Sequence, residues 1–501
     1  MTDNLFQRVR AGIADTTRPF IQPPGGRALS FADCFGMAAR FAHVLARHGV
    51  QPGDRVAVQV EKSPNALCLY LACLRAGAVY LPLNTGYTPS ELAYFAADAE
   101  PKVFVCATRH LEKISASLPP MVFLTLDDDG ESGSLIQEAA AMAGDFSDAA
   151  VTMSDLASIL YTSGTTGRSK GAMLTHANLY SNAESLKETW RFTADDVLLH
   201  ALPIFHIHGL FVATNVTLVS GASMILLPKF DLDGIFRSLP SASVMMGVPT
   251  FYTRLLADPR LDAEVTRNVR LFISGSAPLL AETHREWQAL TGHAILERYG
   301  MTETNMNTSN PHDGLRLPGS VGYPLPGVEL RIASKEGEVL PQGEIGLIEV
   351  RGPNVFKGYW RMPDKTAAEF RSDGFFITGD LGRIDESGYV HILGRDKDLI
   401  ISGGFNVYPK EIESLIGELP GVTESAVVGL PHRDFGEGVT ACIVAAKDST
   451  LTERDVLDAL ADKLAKFKHP KRVLFVEELP RNTMGKVQKN LIRETFSKLY
   501  S

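Results

Sequence analysis

The sequence predicts an α/β protein. It has a large N-terminal domain of layered α/β sheets with a small β-rich subdomain, followed by a small α+β domain at the C-terminal end. Three observations predict this. Apolar strand-like runs alternate with helically spaced segments through the first 150 residues, the pattern of parallel strands covered by helices. Residues 316–360 break that pattern; they are rich in Gly, Pro and Val, with alternating segments. After "GRDKD" (394–398) the last hundred residues mix both patterns again, a stretch long enough to be its own domain. A chain of 501 residues is also too long for one simple core.

In order, "SFADCFGMAARFAHVLARHGV" (30–50) carries apolar residues at helical spacing, with Ser30 placed to cap it. "RVAVQV" (55–60) reads as a strand, "NALCLYLACLRAGA" (65–78) as a buried helix and "KVFVC" (102–106) as a strand. Residues 118–154 are acidic and rich in small side chains, which predicts a surface connection. The strand "ASILY" follows, then a loop, then a helix from near Thr175. "RLFISG" (270–275) and "HAILERYG" (293–300) read as strands entering turns. "VELRIA" and "GLIEVRG" belong to the β-rich unit, residues 375–395 to a hairpin, and 409–417 and 452–466 to helices.

The composition is that of an ordinary globular protein, 45% apolar and 21% charged. A net charge of −9 disfavours a nucleic-acid binder, which needs a basic face. Five scattered cysteines without a C-x-x-C pair indicate neither a zinc site nor a disulfide framework. The N-terminus lacks the apolar core of a signal peptide, and no apolar run is long enough to span a bilayer, so a cytoplasmic location is expected.

The loop "YTSGTTGRSKG" (161–171) concentrates chemistry. Glycines let backbone N–H groups surround an anion, hydroxyls add donors, and Lys170 adds charge, so the natural ligand is a phosphate. It is not a Walker A loop, because Lys170 is followed by Gly171 and the glycines are too close together. The string T-S-G-T-T-G-x-x-K-G resembles the phosphate loop of the adenylate-forming superfamily of acyl-CoA synthetases, peptide-synthetase adenylation domains and luciferases. Further motifs follow in that family's order: "RYGMTET" (298–304), "TGD" (378–380), "GRDKD", "GGFNVYPKEIE" (403–413) and "PRNTMGKVQK" (480–489).

The resemblance implies an acyl-adenylate made from ATP, with Mg²⁺ as cofactor, followed by transfer to the thiol of coenzyme A. It implies an N-terminal domain over 1–396 and a mobile lid over 397–501, hinged at Lys397. Thr162, Ser163, Gly164, Thr165, Thr166, Gly167 and Lys170 would hold the terminal phosphates. Thr302 would bond the α-phosphate and Glu303 would hold the metal. Tyr299 would stack on adenine beside Gly275, Ser276 and Ala277, and Asp380 and Arg395 would meet the ribose. Lys486 would swing in to contact the carboxylate and α-phosphate, then leave as the lid rotates; Gly403 and Gly404 belong to the element brought in by that rotation or form a simple turn. Acetylation of Lys486 by an acetyltransferase, reversed by a deacetylase, would switch the enzyme off. Lys489 reads as an ordinary surface lysine.

The acid is indicated by arginines in a region where fatty or aromatic acids need apolar walls. Arg254 in "GVPTFYTRLL" and Arg298 before Tyr299 imply an anion, because a buried guanidinium without a partner is costly. A second carboxylate of the substrate supplies one, held by Arg254 with His206 or Ser276, or by Arg298, which could equally pair with Glu297. His206 and His208 of "LPIFHIHGL" are donors to a carboxylate or structural histidines bonded to backbone. Together "FHIHGL", "GVPTFYTRL" and "ERYGMTET" resemble the malonate- and methylmalonate-activating branch of the family. Catalysis is expected from Lys486, Thr302, Glu303 and His206. Other readings are a ligase for another short or medium acid, a carrier-protein-loading adenylation enzyme, a luciferase-like oxygenase or a nucleotide sensor.

Overall fold

The computed structural model describes residues 3–162, 169–461, 463–482 and 485–500. Among the described residues the strands gather into sheets of nine, seven, five and four. Three of these sheets take their strands from residues 19–395, and the five-stranded sheet takes its strands from 400–475.

The seven-stranded sheet has a parallel centre made of Val79–Pro82, Arg55–Gln59, Val103–Cys106 and Val122–Thr125. Leu156–Thr162 continues it in parallel, and Lys170–Thr175 returns antiparallel beside it. The helix Pro64–Ala76, capped by Ser63 and buried almost throughout, lies in the core cluster with this sheet's Val56, Val58 and Tyr80. Its apolar run is continuous because it packs on the helix Phe31–Arg47 as well. Residues 118–154 differ from the expected surface connection. They supply the edge strand Val122–Thr125 and the helix Ser134–Ala139, with Leu124, Leu126 and Leu135 buried. Their acidic residues cluster in turns and hid a four-residue strand that buries its second half.

The nine-stranded sheet carries the chemistry. Leu296–Met301, Leu271–Ser274, Val244–Gly247, Val197–His200 and Ser223–Leu226 run parallel, so their C-terminal ends open along one edge. Ligands of open α/β sheets sit at that edge. Leu296–Met301 then turns into the antiparallel strand Asn305–Ser309. Residues 329–395 form the four-stranded antiparallel sheet, ending in the hairpin Phe376–Ile384 and Val390–Arg395. The C-terminal sheet packs the helices Pro409–Gly417 and Glu453–Ala461 over its own apolar cluster. Among the described residues no helix is long and apolar enough to cross a membrane.

Candidate active site

The hairpin of Leu156–Thr162 and Lys170–Thr175 pairs Thr162 with Lys170 at its open end. Ser163, Gly164, Thr165, Thr166 and Gly167 lie outside the described residues. The Lys170 ammonium sits 3.2 Å from Glu369 and 4.1 Å above the Tyr359 ring. The Tyr359 hydroxyl lies 2.6 Å from Glu369 and 3.0 Å from Glu303. With one proton it donates to one carboxylate at a time. Glu303 and Thr302 occupy the turn after Leu296–Met301. That turn requires Gly300, since a Cβ there would stand 1.9 Å from the Asn305 carbonyl. Burial raises the Glu303 carboxyl above its ordinary value, against the hydrogen bond from Tyr359 and the charge of Lys170. A buried carboxylate without a direct ion pair fits a cation, and among the described residues no cluster of three or more His, Cys, Asp and Glu gathers around it. The nucleotide's oxygens would complete such a cation's shell.

Beside this lies a complete carboxylate–arginine anchor. Asp380 and Arg395 face each other across the Phe376–Ile384 and Val390–Arg395 hairpin, 2.9 Å apart at Arg395 Nε. Tyr299 donates its hydroxyl to Asp380 at 2.5 Å, and Arg395 donates to the Thr378 carbonyl at 3.0 Å. The expected nucleotide residues Tyr299, Asp380 and Arg395 are thus brought into one hydrogen-bonded unit.

The opposite wall is built differently. Arg298 is 3% exposed, yet its Nε and Nη2 have no hydrogen-bond partner. Glu297 does not neutralise it. Strand residues alternate sides, and Glu297 turns the other way to accept from the Leu279 N–H at 3.1 Å. Burial pulls the Arg298 guanidinium down to about 9. Gly275 permits its position, because a Cβ at 275 would lie 2.3 Å from the guanidinium carbon. Next along, Ser276 holds a left-handed backbone (φ +70°), and its hydroxyl lies 3.1 Å from His208 Nδ1. Strain of this kind persists where the surroundings over-determine it. His208 Nε2 is buried without a partner, and His206 Nδ1 accepts from the His208 N–H at 3.3 Å. Burial, then Arg298, then Lys486 push His206 down to about 4, so it is neutral at pH 7. Arg298, His206, His208 and Ser276 therefore lie together as donors, with no carboxylate paired to them among the described residues.

Arg254 does not join them. The helix Pro249–Leu256 buries Tyr252 and Leu255, and Arg254 points to solvent, 5.9 Å above the Phe230 ring. Residue 254 lies off the buried face of this helix.

Lys486 reaches the cleft from the C-terminal part. Its turn is fixed by Asn482, whose side-chain oxygen accepts from the Lys486 N–H at 2.9 Å, and Gly485 sits near Thr250. Lys486 keeps solvent access at the cleft, yet desolvation there lowers its ammonium below the ordinary lysine value; Arg395 and Lys397 add repulsion, and Asp380 and Asp398 oppose it. One lysine thus feels both the nucleotide anchor and, through His206, the acid wall. Lys397 lies in the turn Asp396–Asp398, where Asp398 pairs with Arg493 at 2.8 Å. Gly403 and Gly404, both at positive φ, turn the hairpin between Ile400–Ser402 and Phe405–Val407. Lys489 is not a free surface lysine; it pairs with Glu413 at 2.6 Å.

Sequence reasoning missed Tyr359, Glu369, Lys62 and His200. Tyr359 and Glu369 fall in "GYWRMPDKTAAEF", a stretch that reads as an ordinary turn and short helix. Lys62 reads as a polar residue leading into the capping Ser63, and no local pattern marks its burial.

The AMP-binding enzyme family matches residues 11–360, and the AMP-binding enzyme C-terminal domain matches 411–486. The chain is 61% identical to ATP-bound MatB from Rhodopseudomonas palustris over all of both chains, with a TM-score of 0.98. Against the apo form of that protein the TM-score is 0.88, so the arrangement here is more similar to the ATP-bound structure than to the apo one. A malonate–CoA ligase of Arabidopsis thaliana is 37% identical over 488 residues, covering 89% of this chain and 79% of its own. The chain belongs to the AMP-binding enzyme family.

Proposed function

We propose that the protein is an AMP-forming acid–thiol ligase that joins malonate or methylmalonate to coenzyme A through an acyl-adenylate. The observation that carries this reading is Arg298, buried beside His206 and His208 with two nitrogens unpaired and no carboxylate facing it among the described residues. A short diacid completes the site. Its distal carboxylate takes the Arg298 guanidinium, with Ser276 and the histidines as neighbours, and leaves its proximal carboxylate toward Lys486. The named activity of the Arabidopsis relative fits that chemistry.

In the first half-reaction a proximal carboxylate oxygen attacks the α-phosphorus of ATP. The bond to the β-phosphate bridge breaks and pyrophosphate leaves with the electron pair. Lys486 counters the charge on the carboxylate and α-phosphate, Thr302 bonds the latter, and Asp380 with Arg395 fixes the ribose. Lys170 and the loop from Thr162 hold the terminal phosphates. Glu303 would hold Mg²⁺, which neutralises charge on phosphate oxygens when bound. In the second half-reaction the lid turns at Lys397, Lys486 withdraws, and the CoA sulfur attacks the acyl carbon, expelling AMP. Acetylation of Lys486 would remove its charge and stop the first half-reaction, with an acetyltransferase and a deacetylase as partners.

The test is a panel of malonate, methylmalonate, acetate and octanoate with free CoA, read as AMP release. Malonate or methylmalonate should lead by about two orders of magnitude or more, since acetate leaves a buried charge unpaired. Octanoate in the lead ends the dicarboxylate reading. Release of AMP only with a carrier protein ends the CoA assignment.

A further inference from the structure

Behind the acid wall lies a second basic pair that no step of the reaction touches. Lys62 is 7% exposed and His200 is fully buried. The Lys62 ammonium spends its three protons on three acceptors: His200 Nδ1 at 2.9 Å, the His200 carbonyl at 2.7 Å and the Leu202 carbonyl at 2.9 Å. No carboxylate pairs with it among the described residues. Because Nδ1 accepts, the other ring nitrogen carries hydrogen and donates to the Gly209 carbonyl at 2.9 Å. Thr214 donates to the same carbonyl at 3.0 Å.

These bonds tie both ends of one segment. His200 and Leu202 lie where the strand Val197–His200 ends, and Gly209 lies in the π-helical turn His208–Thr214. Between them stand His206 and His208. The segment is tight, since a Cβ at Gly209 would come within 2.1 Å of the Pro203 carbonyl. A π-helical turn spends i→i+5 bonds that an α-helix does not need, and such turns recur at functional sites. A buried lysine held only by neutral acceptors is costly, and a buried apolar residue would pack there more cheaply.

We propose that Lys62 is a positioning residue for the acid pocket: through His200 it fixes the 201–209 segment and so sets His206, His208 and Ser276 beside Arg298. This rests on the reading that Arg298 takes the distal carboxylate. Lys62 touches neither substrate nor the reacting atoms, so the signature is a split between substrates and not a general loss.

The experiment compares wild type, Lys62→Met, Lys62→Gln and Arg298→Met by pyrophosphate release with malonate and with propionate, which lacks the distal carboxylate. Lys62→Met should raise the malonate KM about tenfold or more, as misplacement of a binding group does. The ATP KM and propionate use should stay within about twofold of wild type. Lys62→Gln keeps two donors and should recover part of the loss; it also carries the comparison if Lys62→Met does not fold. Parallel decline of malonate, propionate and ATP use, or an unchanged malonate KM, overturns the positioning role. If Arg298→Met destroys malonate use and the Lys62 variants do not shift it, this inference falls alone. If Arg298→Met leaves malonate use intact, the reading of the pocket falls and takes the inference with it.

Discussion

The two walls of the cleft handle positive charge in opposite ways. On the nucleotide side Lys170 stands against Glu369 and Arg395 against Asp380. On the acid side Arg298, His206 and His208 have no carboxylate partner among the described residues. Paired cations are satisfied before the nucleotide arrives, so they orient a ligand without demanding one. An unpaired buried guanidinium carries a standing desolvation cost that only an anionic ligand relieves. The first wall is therefore suited to general nucleotide binding, and the second to choosing the acid. Selection comes as much from what a monocarboxylate leaves unpaired as from what a diacid gains.

Lys486 is the cation both walls share, and its removal should have the largest effect. Lys486→Ala is expected to slow malonate-dependent ATP–pyrophosphate exchange by about three orders of magnitude, the scale of losing a positioned charge at a transition state. CoA-dependent AMP release from supplied malonyl-adenylate should stay within about threefold. Equal loss in both assays would mean that Lys486 serves the whole cleft and that the two half-reactions are not separately staffed.

Arg298→Met sharpens the contrast between the walls. Malonate kcat/KM should fall by about two to three orders of magnitude, corresponding to about 3–4 kcal/mol for a broken buried charge pair, while the ATP KM moves by less than about threefold. The wild type adds a pH signature. Arg298 is pulled down to about 9, and its cation exists below that value. Malonate kcat/KM therefore declines as pH climbs past 9; Lys486, lowered as well, contributes to the same limb, so the Arg298→Met variant should show a weaker bend than wild type. An ATP KM that rises in step with malonate would merge the two walls into one site.

Much of the fold was legible in the sequence because its signals are local. The helix Pro64–Ala76 announces itself by Ser63, Pro64 and a continuous apolar run, and the hairpin at 376–395 by its turn. Asp380, Arg395, Tyr299 and Lys486 lie within ordered motifs, so their positions could be read without knowing their contacts. The rest depends on what the chain brings together across long separations. Lys62 meets His200 across 138 residues, and Lys170 meets Glu369 across 199. Nothing near Lys62 in the sequence distinguishes it from a solvated lysine. The strand at 122–125 was hidden for a related reason: half of its four residues are buried, too few to show a period.

Arg254 is the expected pocket residue that the structure sets apart from the others, and it yields the smallest predicted effect. The periodicity that was used elsewhere already placed it outward. Tyr252 and Leu255 mark the buried stripe of Pro249–Leu256, and residue 254 lies about 100° from 255 and about 200° from 252 around the helix. Its guanidinium rests over Phe230, which itself stacks on Phe251 at 4.1 Å. An exposed contact of that kind contributes about 0.5–1 kcal/mol, to stability and not to substrate choice. Arg254→Met, assayed beside Arg298→Met, should leave malonate kcat/KM and the ATP KM within about twofold of wild type. A malonate-specific loss approaching that of Arg298→Met would put a second guanidinium in the pocket. The acid wall would then be built from two elements, and the contrast between paired and unpaired cations would no longer turn on the strand end at residue 298.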